Sequence, residues 1–252
     1  MKRPASTLDV AKITTPAFVI EEDLLRYNLR VLKHVADRSG ATVLHALKAW
    51  ATWPLFPIVK TYLSGTEVSS LNEARLGWEE FGHEVHMYAP AYKPAEFGAV
   101  LKNCSHIIFN SFSQFRKFKD KIKKSRKRIS VGLRINPEIT TREKHDVWNP
   151  CAPDSRLGLR VDEFERELKK NPKALDGIEG LHFHIFFERD FKDLCKAAAL
   201  SCSVVHLAYC LKNPLPDFRV IVKQPVFIYR HALRIFSCLF DIVQKAFCRI
   251  GD

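Results

Sequence analysis

Short apolar segments alternate with amphipathic stretches at a regular step through the first 188 residues. The short segments read as strands at residues 42–48, 66–69, 84–89, 105–110, 129–136 and 178–185, and helical patterns lie at 22–36, 54–63, 71–81, 94–102, 111–124 and 161–169. The first helix places Leu25, Leu29, Leu32 and Val35 on one stripe, and Gly40 follows as a stop signal. Alternating β and α elements of this kind predict a parallel sheet covered by helices.

The strand faces separate an open sheet from a barrel. In 129–136, Val131, Leu133 and Ile135 form one face, while Gly132, Arg134 and Asn136 form the other. In 178–185, Leu181 and Phe183 oppose Gly180, His182 and His184, and in 66–69 Glu67 shares a face with Ser69. An open doubly wound sheet is apolar on both faces. Polar groups on one face, near the C-terminal strand ends, fit the inward mouth of a (β/α)8 TIM-type barrel. Lys48, Glu67, Ser69, Arg134 and His184 all meet that description.

Lys48 stands out among them. Period-2 alternation in 42–48 groups Leu44, Ala46 and Lys48. An ammonium on the apolar face of a core strand is desolvated, which depresses its pKa and makes the amine nucleophilic, as Schiff-base lysines require. The bland reading is a strand-end lysine that reaches water along its alkyl stem. Bland readings stand for the others too. Ser70-Leu71-Asn72-Glu73 is a capping box. Arg134 can pair with Glu67 inside the barrel, and His182 and His184 can be satisfied core histidines. No CxxC occurs, so no zinc site is expected.

Six motifs in order carry a resemblance. They are Thr15-Pro16-Ala17-Phe18-Val19-Ile20, Leu44-His45-Ala46-Leu47-Lys48-Ala49, Glu67-Val68-Ser69-Ser70-Leu71-Asn72-Glu73-Ala74, Gly132-Leu133-Arg134-Ile135-Asn136-Pro137, Ser155-Arg156-Leu157-Gly158 and Gly180-Leu181-His182-Phe183-His184. Together, over roughly residues 14–188, they resemble the carboxynorspermidine (carboxyspermidine) decarboxylases, pyridoxal-phosphate enzymes of polyamine biosynthesis with the alanine racemase/ornithine decarboxylase barrel. Residues 149–153 and 69–74 point to that branch. The resemblance implies that Lys48 is the Schiff-base lysine and that His184 stacks on the cofactor ring. It also implies that Arg134 and Glu73 lie around pyridoxal 5'-phosphate, that Glu67 lies close to the lysine, and that the enzyme is a homodimer. The alternatives are a related amino-acid decarboxylase of the diaminopimelate or ornithine type, or a non-catalytic remnant.

Residues 189–252 read differently. All 15 glutamates precede them, while five of the seven cysteines and one of the ten glycines fall within them. The glycine-rich phosphate loop, the acidic partner of the pyridine nitrogen and the C-terminal β-domain that the resemblance implies are not visible there. The expectation is therefore two regions: a partial barrel of about six βα units at 1–188, and an atypical tail at 189–252 that is poorly packed. A frameshift, altered splice or gene-model error near residue 185 is the economical explanation. One amphipathic helix is predicted in the tail, at 227–247.

The net charge is +12, and nine basic residues crowd into 116–128. Phe115, Phe118 and Ile122 recur there at helical spacing, so a solvated helix face is expected rather than a nucleic-acid surface. Residues 1–12 lack an apolar core of signal-peptide type, and the apolar run 197–211 is too short to cross a bilayer. A cytoplasmic protein with no membrane partner is expected.

Overall fold

A computed structural model describes residues 2–138, 149–184 and 219–222. Its strands are β1 (Leu44–Ala46), β2 (Gly65–Val68), β3 (Glu84–Tyr88), β4 (His106–Phe109), β5 (Ser130–Asn136), β6 (Leu159–Arg160), β7 (Gly180–Phe183) and β8 (Arg219–Val222). They pair in the order β1-β2-β3-β4-β5-β7-β8, with two-residue β6 on the end of β5, and every ladder is parallel. Helix α1 (Glu22–Ser39) precedes β1, and helices α2 (Phe56–Val59), α3 (Leu71–Leu76), α4 (Phe97–Asn103), α5 (Phe112–Lys123) and α6 (Val161–Lys170) lie between successive strands. Sequential parallel neighbours joined by helices are the build of the TIM-type barrel. Among the described residues no ladder joins β8 to β1.

The helices begin where side chains cap them. Ser70 Oγ accepts the Glu73 N–H at 3.2 Å, and the Glu73 carboxylate accepts the Ser69 N–H at 2.7 Å. At α5, Ser111 Oγ accepts the Gln114 N–H at 3.1 Å while Gln114 Oε1 accepts the Asn110 N–H at 2.9 Å. Each reciprocal pair satisfies donors that a helix start leaves open. The core lies between the sheet's outer face and the helices, around fully buried Phe56, Phe81, Phe97, Phe109, Phe118 and Phe164. On α5, Phe115 and Phe118 are buried, so the basic run is the exposed side of a docked helix.

Three elements differ from the sequence pattern. The helix expected at 54–63 is a 3-10 turn, Trp53–Leu55, followed by short α2. Pro54 and Pro57 each lack an N–H donor and each suit a helix start, so they divide the segment. The helix expected at 71–81 ends as α3 at Leu76 and continues as a π turn, Gly77–Phe81. In the tail, β8 adds a seventh strand to the main sheet, pairing Gly180 with Arg219 through Phe183 with Val222. Its Val-Ile-Val run suits a strand but carries no polar alternation to announce one. The helix expected at 227–247 and the run 197–211 lie outside the described residues.

Candidate functional site

The C-terminal ends of β1, β2, β3, β5 and β7 converge on one polar group of side chains. β1 stops at Ala46, earlier than expected, and Lys48 sits in the turn that follows. The Leu47 N–H donates to the Glu67 carbonyl at 3.0 Å, which fixes that turn against β2. Leu47, not Lys48, is buried in the core, at 3% exposure. The expectation of a lysine on the apolar face of a strand is therefore corrected: Lys48 is exposed, past the strand's end. Its pKa is lowered all the same. Partial desolvation is the larger cause and the Arg134 charge the second, while Glu73 opposes them.

Arg134 lies on the inward face of β5 at 4% exposure, with its guanidinium 4.6 Å from the centroid of the Tyr88 ring. Burial lowers its pKa, and Tyr88 and Cys151 work against that. Its Nε has no hydrogen-bond partner among the described residues. His182 is fully buried and stacks on Tyr88 at 5.2 Å, and neither of its ring nitrogens has a hydrogen-bond partner among the described residues. Burial, then Arg134, His184 and Lys48, hold its pKa well below the usual value. His184, just past β7, is pushed down to about 3 by burial, Arg134 and Lys48. Both imidazoles are thus neutral beside two cations.

A loop closes over this group. Asn110 Oδ1 accepts the Gly158 N–H at 2.7 Å and the Tyr88 hydroxyl at 2.7 Å, and Asn110 Nδ2 donates to the Arg156 carbonyl at 2.9 Å. Gly158 has φ +91°, and a Cβ there would stand 3.0 Å from Arg134 Cγ and 3.0 Å from the Asn136 nitrogen. Only glycine fits that backbone and that approach. The preceding segment docks through Cys151, whose Sγ lies 3.5 Å from the His184 carbonyl. Burial pushes the Cys151 thiol up to about 12, so it stays protonated.

Lys48, Glu73, Arg134 and His184 are thus brought into one electrostatic neighbourhood, and the backbone of Glu67 abuts the lysine turn. Glu67 itself is buried at 4% exposure on β2, level with Ala46 of β1. Glu73 performs the capping role in full. Tyr88, Asn110 and Cys151 were missed from the sequence. Tyr88 had a usable signal, because it ends β3 on the same face as Glu84 and His86.

No family model matches the chain. A carboxynorspermidine/carboxyspermidine decarboxylase of Campylobacter jejuni is 44% identical over 177 residues, which cover 70% of this chain and 44% of that protein. A carboxyaminopropylagmatine decarboxylase of Synechocystis is 38% identical over 181 residues, 72% of this chain and 44% of that protein. The crystal structure of carboxynorspermidine decarboxylase from Campylobacter jejuni, complexed with norspermidine, superposes with a TM-score of 0.66 at 33% identity, over 83% of this chain and 59% of that one. The chain spans about half the length of the curated relatives it matches.

Proposed function

We propose that this chain, related over about 70% of its length to the carboxynorspermidine/carboxyspermidine decarboxylases, serves that decarboxylation in polyamine biosynthesis with pyridoxal 5'-phosphate held at Lys48. One observation carries the reading: Arg134 on β5, Lys48 in the turn after β1 and His184 just past β7 share one electrostatic neighbourhood at the sheet's C-terminal end, with each pKa lowered.

The residues fit the cofactor chemically. A buried guanidinium with a spare Nε–H suits an anionic ligand, and the neutral imidazole of His184 accepts a flat aromatic ring without adding charge. Lys48 Nζ, with its lowered pKa, holds a larger neutral fraction at physiological pH than an ordinary lysine and presents a lone pair to a carbonyl carbon. The same Nζ can take up and return a proton. Glu73, anchored by its cap, keeps a carboxylate near that amine. Arg134 and the Gly158 loop exclude water from the inner wall. The chemistry the group supplies when bound is an electron sink for the pair left when the carboxylate departs.

The relatives' printed names all describe carboxylated polyamine precursors, which supports that substrate class over free ornithine, lysine or diaminopimelate. We also take the homodimer from the resemblance. The cytoplasm fits free, buried Cys104 and Cys151.

The test is to incubate the protein with pyridoxal phosphate, reduce with borohydride, map the label, and measure carbon dioxide released from the five amine substrates. Label on Lys48 and preference for carboxynorspermidine or carboxyspermidine are expected. Label on another lysine, unchanged by Lys48→Ala, overturns the assignment. Preference for diaminopimelate or ornithine moves the chain to the alternative branch, and label on Lys48 without turnover leaves a cofactor-binding remnant.

A further inference from the structure

At the other end of the same strands lies a cluster that the decarboxylase reading does not use. Glu84 opens β3, His86 follows two residues later on the same face, and His106 opens β4. The parallel register sets His86 directly beside His106, and their rings stack with centroids 3.7 Å apart and planes 24° apart. Glu84 Oε2 lies 3.0 Å from His86 Nε2 and 3.7 Å from His106 Nε2. One ligand atom from each of the three falls within 4.8 Å of the others.

We propose that Glu84, His86 and His106 bind a divalent transition metal of the zinc class, tying β3 to β4 at the N-terminal end of the sheet. The chemistry of the donors is that of zinc and its neighbours: two imidazole nitrogens and one carboxylate oxygen. The spacing also fits. Bonds of about 2.0–2.1 Å at tetrahedral angles separate two donors by about 3.3 Å, and the two separations from Glu84 bracket that value. Glu84 hydrogen-bonds His86 at 3.0 Å, whereas 3.7 Å to His106 is beyond hydrogen-bond reach, so an ion engages both rings where a proton engages one.

Access and rigidity agree. The rings of His86 and His106 are buried, whereas about half of the Glu84 side chain faces solvent, which gives a metal an entry path and leaves water a fourth position. All three ligands stand on strands rather than on loops, so the backbone is already in place, and binding turns the two stacked rings until each aims the in-plane lone pair of its Nε2 at the shared ion. Along β3, Glu84 lies four residues and His86 two residues before Tyr88, roughly 13 Å and 7 Å away. An ion there is structural: conserving the barrel end it braces, it touches neither Lys48 nor Arg134.

The experiment uses the full chain, stripped with chelator and titrated with Co(II) and then Zn(II), with no pyridoxal phosphate added. One equivalent of cobalt should bind with tetrahedral d–d absorption, zinc should displace it, and the melting temperature should rise with metal. His106→Gln and His86→Gln should each lose that equivalent. Because those rings are buried, Glu84→Gln serves as the variant least disturbing to the fold, and its cobalt affinity should fall by about tenfold or more. Sulfur-to-cobalt charge transfer would assign the ion to cysteines and overturn the proposal. Cobalt binding unchanged in all three variants, or no binding at all, overturns it equally.

Discussion

The two ends of one parallel sheet treat the same residue type in opposite ways. At the C-terminal ends, His182 and His184 sit beside Arg134 and Lys48, and burial among cations keeps both rings neutral. At the N-terminal end, His86 and His106 sit beside the Glu84 carboxylate, which hydrogen-bonds one ring and approaches the other. Three of the four imidazoles project from strands and the fourth, His184, directly follows one, so the strand position alone does not set their chemistry. The charged neighbour does: Arg134 pairs in register with His182, whereas Glu84 stands two residues before His86 on the same strand. One end is therefore prepared for an anion and a carbonyl, the other for a cation.

Acid should expose this difference most strongly. A free histidine titrates near 6.5, whereas His184 is held down to about 3 in the folded chain. Between those values the unfolded chain binds a proton that the native chain does not. The stabilisation is therefore complete above pH 6.5 and is lost as pH falls through that window. Each unit corresponds to about 1.4 kcal/mol, so the loss by pH 4 is on the order of a few kcal/mol. Urea unfolding followed from pH 7 to pH 4 should show a steep decline that His184→Asn flattens. An unchanged slope in that variant would place the acid-sensitive group elsewhere.

A smaller effect distinguishes the ends sterically. Gly158 at the mouth and Gly177 at the opposite end both hold positive φ, +91° and +90°. A Cβ on Gly158 meets backbone at 3.0 Å, whereas on Gly177 its nearest contact is the Phe115 ring at 3.4 Å. Gly177→Ala should lose the strain alone, about 1 kcal/mol, and Gly158→Ala about 2–3 kcal/mol. Equal losses in urea titrations would mean that the loop over Arg134 is less tightly seated than its contacts indicate.

Much of this was legible from residue patterns. Period-2 faces in β5 and β7 placed Arg134, His182 and His184 inward, because a half-buried strand must alternate. The Ser70–Glu73 cap was readable because its partners lie three residues apart. What could not be read depends on register and on loops. No sequence spacing links His86 to His106 or Tyr88 to Arg134, since parallel strands meet only after a helical crossover. The end of β1 was misplaced because Leu47 turns into the core, which three residues of alternation cannot anticipate. β8 was missed because a uniformly apolar run has no period.

The most direct measurement of the contrast between the two ends is the titration of Lys48 itself. Competitive acylation at a series of pH values, read by mass spectrometry, reports each lysine's pKa in the same sample. Lys48 is expected to titrate below its ordinary value of 10.5, to move back toward it in Arg134→Met, and to stay in place in His106→Gln. A Lys48 that titrates at the ordinary lysine value and ignores the loss of Arg134 would contradict the view that the sheet's C-terminal end is built around an activated amine.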